Sequence, residues 1–88
     1  MIEPHQIAVT SRAARDLDRL PPKIASACIE FIFGPLAENP HRLGKPLRDE
    51  LGGSYSARRG DYRVVYAIRD DAHVIEIEHI GRRSDVYR

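Results

Sequence analysis

The stretch Tyr62 to Ile80, YRVVYAIRDDAHVIEIEHI, decides the fold. Its first seven residues are rich in β-branched and aromatic side chains, the composition that packs on a pleated surface. Arg69-Asp70-Asp71 supplies a polar turn, and Val74 to Ile80 returns with partial apolar alternation. Strands joined by so short a connection pair antiparallel, because parallel neighbours need a crossover of roughly a dozen residues or more. Immediately upstream, Tyr55 to Arg59 reads as a third strand, separated from the next by a Gly60-Asp61 turn.

Working outward to the N-terminus, Gln6-Ile7-Ala8-Val9 alternates polar and apolar and predicts a short first strand. Thr10-Ser11 offers capping hydroxyls for a helix to Leu20, with Ala14, Leu17 and Leu20 at helical spacing. Pro21-Pro22 stops that helix and opens the next, since a proline lacks the amide donor but suits a first helical position. Ile24, Cys28, Phe31 and Ile32 then mark one apolar stripe, which Gly34-Pro35 ends or kinks. His41 to Gly53 reads as irregular. The expected architecture is α+β: an N-terminal strand, a two-helix hairpin, then a short antiparallel sheet packed on the helices, as one domain across residues 1–88.

Of 88 residues, 42% are hydrophobic and 31% charged, which excludes a disordered tail. No run approaches the ~18–20 apolar residues of a membrane span, and the N-terminus lacks the basic flank and apolar core of a signal peptide, so a cytoplasmic protein is expected. Cys28 is the single cysteine; it builds no internal disulfide and reads as a small core residue of the second helix. No histidine pair has the i, i+4 spacing of a helical metal site, and no phosphate-cradling glycine loop is present. Neither a metal nor a cofactor is expected.

The net charge is only +1, yet Lys23 and Lys45 are the only lysines among 14 basic residues. Arginine stays protonated and its planar fork fits phosphate oxygens. GC-rich coding also produces such a bias, so composition permits an anion partner without requiring one. Placement says more. Along YRVVYAI, Arg63 projects to the side of Val65, away from Tyr62 and Val64, while Ser56 and Arg58 share a face one strand back. Arg82, Arg83 and Tyr87 follow the last strand. Three segments thus deliver guanidinium groups to one side of a short sheet, although scattered surface arginines would read the same way.

The string SARRGDYRVVYAI, followed by IGRRSDVYR and preceded by LGKPLRDELGGSY, resembles the RelE/ParE superfamily of bacterial toxins over nearly the whole chain. RelE-type members cut mRNA in the ribosomal A site; ParE-type members share the fold but inhibit DNA gyrase. With Arg58, Arg63, Arg83 and Tyr87 in place, the chain looks closer to the RelE branch. That implies a metal-independent endoribonuclease acting on the ribosome, restrained by a RelB-like antitoxin. Arg63 matches the family's strand arginine, whose implied role is to stabilise charge on the phosphate. Arg58 occupies the second basic position of the preceding strand, with Arg59 as a register alternative. Arg83 matches the basic position after the last strand, and Tyr87 a C-terminal tyrosine suited to proton transfer. Lys45, Arg48, Arg59 and Arg82 are implied contacts to RNA backbone.

The chain also departs from the pattern. Ser56 stands where relatives often carry Lys or Arg, and Leu47 follows Pro46 where some carry a carboxylate. A gyrase inhibitor and a degenerate, antitoxin-binding relative therefore remain as alternatives. The proton-transfer group stays open between Tyr87, His79 and ribosomal RNA. His79 has the parity of Ile75 and Ile77 and could be half-buried or could open onto the Arg63 face.

Overall fold

The computed structural model describes residues 3–47 and 53–82. Strand β1, Gln6–Val9, leads into helix α1, Ser11–Arg19. The Thr10 hydroxyl caps α1 by accepting from the Ala13 N–H at 3.1 Å. Helix α2, Pro22–Phe31, starts directly after Pro21 and continues into a wider π-helical turn, Ile32–Leu36. Pro35 lies inside that turn. A proline removes one backbone donor and its ring crowds the carbonyl four residues earlier, and the extra width of the turn absorbs both effects.

The segment read as irregular holds two short elements: α3, Pro40–Leu43, and β2, Lys45–Pro46. β2 is an edge strand, where a proline without an N–H is tolerated. Strands β3, Ser54–Arg59, β4, Tyr62–Arg69, and β5, Val74–Arg82, follow the expected meander. In α1 the buried residue is Ala13, whereas Ala14 is exposed. The stripe facing the sheet is Ala13, Leu17 and Leu20, one position earlier in its first turn than the sequence spacing suggested.

The five strands line up as β1-β5-β4-β3-β2, with β1 parallel to β5 and the remaining neighbours antiparallel. Gly60 takes φ 63° in the β3–β4 turn, a left-handed conformation that glycine adopts without steric penalty. A bulge interrupts the β4–β5 ladder: Val65 faces His79, but its neighbour Tyr66 faces Ile77, so Glu78 is the extra residue. The bulge inverts the alternation of β5. Ile75 and Ile77 before it, and Ile80 after it, all point to the helices. His79 points with Val65 to the opposite face, so it does not share the side of Ile75 and Ile77 as strict alternation implied.

Ala13, Cys28, Ile32 and Leu36 from the helices pack with Ala57, Val64, Tyr66, Ile75, Ile77 and Ile80 from the sheet. Burial holds the Cys28 thiol above its ordinary pKa, with Arg59 pulling weakly the other way. Tyr66 is fully buried, and its hydroxyl donates to the Pro40 carbonyl at 2.7 Å. Desolvation, with Tyr55 beside it, pushes its phenol up to about 12. Gly44 sits against that ring: a Cβ there would collide with the hydroxyl and lie 2.8 Å from Cζ.

β1 covers only Val74 to Ile77 of the β5 edge. Beyond that, the chain itself seals the edge. The Thr10 N–H and hydroxyl both donate to the Ile77 carbonyl, at 3.1 and 2.8 Å. Nearly two turns further along α1, Asp16 Oδ2 accepts the Ile80 N–H at 3.0 Å. One carbonyl and one N–H of the β5 edge are thereby satisfied within the chain, which makes that edge less able to pair with another strand. No described helix is long and apolar enough to cross a membrane.

Candidate nucleic-acid interface

All helical residues of the core cluster pack on one face of the sheet. On the other face, Arg58 stands directly opposite Arg63 across the β3–β4 ladder. Directly opposed residues hold their Cβ atoms roughly 4.5–5.5 Å apart, and like charges so placed destabilise a sheet. Arg58 is exposed and Arg63 half-buried. Next along the same face come Ser56 opposite Val65, and Lys45 of β2 opposite Ser56. On the far side of β4, Gly81 lies opposite Arg63 and His79 opposite Val65. Arg58, Arg63 and Lys45 therefore share one face with His79.

His79 is held from α1. Its Nδ1 donates to Asp16 Oδ2 at 2.7 Å, with both side chains about 15% exposed (15% and 14%). A carboxylate at Nδ1 fixes the ring orientation and leaves Nε2 as the nitrogen available for proton exchange. Sequence reading found His79 but missed Asp16, because a helical residue 63 positions away carries no local mark of its partner.

Other basic residues go elsewhere. Arg59 is opposite Tyr62, on the helix side, and lines a cleft of about 300 Å3 with Lys23, Ile24 and Cys28. It is thus not interchangeable with Arg58. Arg82 is also opposite Tyr62 and holds its guanidinium 6.0 Å from the centre of that ring. Arg48, Arg83 and Tyr87 lie outside the described residues.

A second polar cluster occupies the opposite end of β4. Asp70 receives His41 Nε2 at 3.1 Å and has His5 Nε2 at 3.6 Å, while the His5 and His73 rings stack 4.0 Å apart. The hydrogen bond from His41 holds the Asp70 carboxyl below its ordinary value. This group ties the segment before β1, α3 and the β4–β5 turn together, and it sits a full strand length from Arg63. Among the described residues, no group of three His, Cys, Asp or Glu could hold a metal ion.

Comparison with known proteins places this geometry. The family described as ParE toxin of type II toxin-antitoxin system, parDE, matches residues 7–87. Toxin RelE of Mycobacterium tuberculosis is 68% identical over 97% of this chain and 88% of its own length. Toxin RelG of the same organism is 48% identical, covering 97% of this chain and 98% of the relative. A chain in the crystal structure of the RelBE2 toxin-antitoxin complex from M. tuberculosis superposes with a TM-score of 0.89 at 46% identity, over 97% of this chain and 98% of that one. By its α+β architecture, its family match and its similarity to these toxins, the chain belongs to the ParE/RelE family of type II toxin-antitoxin toxins.

Proposed function

We propose that this toxin is a ribosome-dependent endoribonuclease that cuts mRNA in the A site. The observation that carries this reading is the Arg58–Arg63 pair on the sheet face the helices leave uncovered. Two opposed guanidinium groups set forked donors side by side, an arrangement suited to the oxygens of one phosphate. Relatives named RelE and RelG favour this target over DNA gyrase.

The substrate brings its own nucleophile. The 2′-oxygen of one ribose attacks the adjacent phosphorus, the bond from phosphorus to the 5′-oxygen breaks, and a 2′,3′-cyclic phosphate and a 5′-hydroxyl result. Negative charge grows on the non-bridging oxygens in the transition state. Arg58 and Arg63 meet that charge with fixed donors, which is where electrostatic catalysis is largest. A base must take the 2′-proton and an acid must supply one to the leaving 5′-oxygen. Arginine is too weak a base for the first task. Tyr87 and His79 are the two candidates in the chain. The Asp16–His79 bond supports His79 as a group able to accept or release a proton at Nε2. No step runs through a metal or cofactor.

The same reading places the protein in the cytoplasm, with ribosome and message as targets, and gives it a RelB-like antitoxin as partner. The M. tuberculosis neighbour is a toxin-antitoxin complex, which supports that partner. Inducing the chain and mapping transcript ends tests the reading. Cuts in phase with codons are expected. DNA breaks with intact message would favour gyrase inhibition, and unarrested growth would favour an antitoxin-binding relative without toxicity.

A further inference from the structure

A second basic site lies around the β5 edge from Arg58 and Arg63. A cleft of about 570 Å3 is lined by Arg12, Arg15 and Arg19 of α1 and Arg82 of β5, together with Asp16 and His79. Spacings of three and four residues put the α1 arginines on one side of the helix. From Arg12 to Arg19 the helix rises about 10 Å at ~1.5 Å per residue, longer than the step between neighbouring phosphates on one strand. Among the described residues, no ion pair engages Arg12, Arg15 or Arg19. The carboxylate among them, Asp16, is already occupied by His79 Nδ1 and the Ile80 N–H. With one carboxylate among four guanidinium groups, the lining keeps an excess of positive charge for an anion to meet.

Gly81 joins the two sites. It lines the cleft and also lies opposite Arg63. The apolar lining is confined to Leu20, Tyr62 and Ile80, so the cleft offers little to a partner that anchors by apolar side chains. Its arginines present forked donors at regular steps on a rigid helix, the arrangement a polyphosphate backbone fits.

We propose that the Arg12/Arg15/Arg19 cleft binds the sugar–phosphate backbone of single-stranded RNA that continues past the Arg58/Arg63 face. This rests on the mRNA-cleaving reading and adds to it a binding track that reads no sequence. The test is a salt titration of the full chain with a fluorescein-labelled single-stranded RNA, followed by anisotropy. Each phosphate neutralised contributes a slope of about 0.7 in log K against log salt. Replacing Arg12, Arg15 and Arg19 together by Gln is expected to weaken binding and make the slope shallower by about 2. Arg69→Gln, on the distant end of β4, is expected to change neither. Thermal unfolding checks that the triple variant is folded; single variants, each shallower by about 0.7, replace it if it is not.

An unchanged slope, or no RNA binding by the wild-type chain, overturns the proposal. So does a triple variant that keeps RNA but loses a polyglutamate peptide, which would assign the cleft to an acidic protein. Message cleavage on ribosomes is read separately. A chain that binds RNA through the cleft yet cuts no message overturns the nuclease reading alone, and one that cuts message with an unchanged slope overturns the cleft alone.

Discussion

Arg58 and Arg63 face each other across the β3–β4 ladder, on the side of the sheet that carries no part of the helical core. Function should therefore be more sensitive than stability to changes at this pair. Arg58 is exposed, so Arg58→Gln is expected to change stability by no more than about 0.5 kcal/mol, seen as a nearly unmoved midpoint in urea. The same change is expected to slow single-turnover cleavage about 10²–10³-fold, the size of losing one donor to a developing oxyanion. Arg63→Ala should match that loss, and the double variant should lose less than the product of the two, since they act on one phosphate. A variant that loses stability and keeps its rate would make the pair structural.

Asp16 links the helix, the strand edge and His79. Asp16→Ala removes the acceptor of both the Ile80 N–H and His79 Nδ1. Leaving such donors unpaired costs about 1–3 kcal/mol, and in a domain of this size each kcal/mol lowers Tm by about 4–8 °C. Calorimetry measures the shift. If His79 moves a proton, Asp16→Asn should also alter the pH dependence of cleavage, which loss of packing would leave in place.

Gly44 and Tyr66 form a tight contact that admits no Cβ. Gly44→Ala is expected to destabilise by about 1–3 kcal/mol through overpacking. Tyr66→Phe leaves the Pro40 carbonyl without its donor and should cost about 1–3 kcal/mol. Combining them removes the hydroxyl that the new methyl strikes, so the double variant should be more stable than the sum of the single losses. Additive losses in urea unfolding would show that the two positions do not touch in solution.

The raised Cys28 pKa carries a sign that can be checked. A folded value above the unfolded one gives a contribution fully present below the unfolded thiol's value, near 8.5, and lost as pH rises through the folded value. Stability measured across pH 8–10 should fall more in the wild-type chain than in Cys28→Ala. At pH 8 the native thiol should resist a disulfide reagent and react quickly in urea. Rapid labelling of the native chain would place Cys28 outside the core.

Much of this architecture is legible in residue patterns. Thr10 before Ser11, the proline pair at 21–22, and the YRVVYAI and VIEIEHI runs each have a local physical cause, and the structure follows them. The misreadings come from non-local causes. His79 changes face because one extra residue, Glu78, is accommodated opposite the Val65–Tyr66 step, and a bulge has no signature in strict alternation. β2 exists because Lys45–Pro46 finds Tyr55–Ser56, a pairing that turn residues around it obscure. Arg59 separates from Arg58 simply by strand alternation, so the register of β3 decides which one meets Arg63. The α1 arginines were readable as a helical stripe. What made them a site was the β5 edge beside them, which only the fold supplies.

The most direct measurement adds purified toxin to ribosomes holding a defined message with an open A site, in a single turnover, and maps the RNA ends. The expected result is one cut within the A-site codon, leaving a 2′,3′-cyclic phosphate and a 5′-hydroxyl, slowed about 10²–10³-fold by Arg63→Ala. Intact message with the wild-type toxin, or equal cutting by Arg63→Ala, would contradict a phosphate held between Arg58 and Arg63.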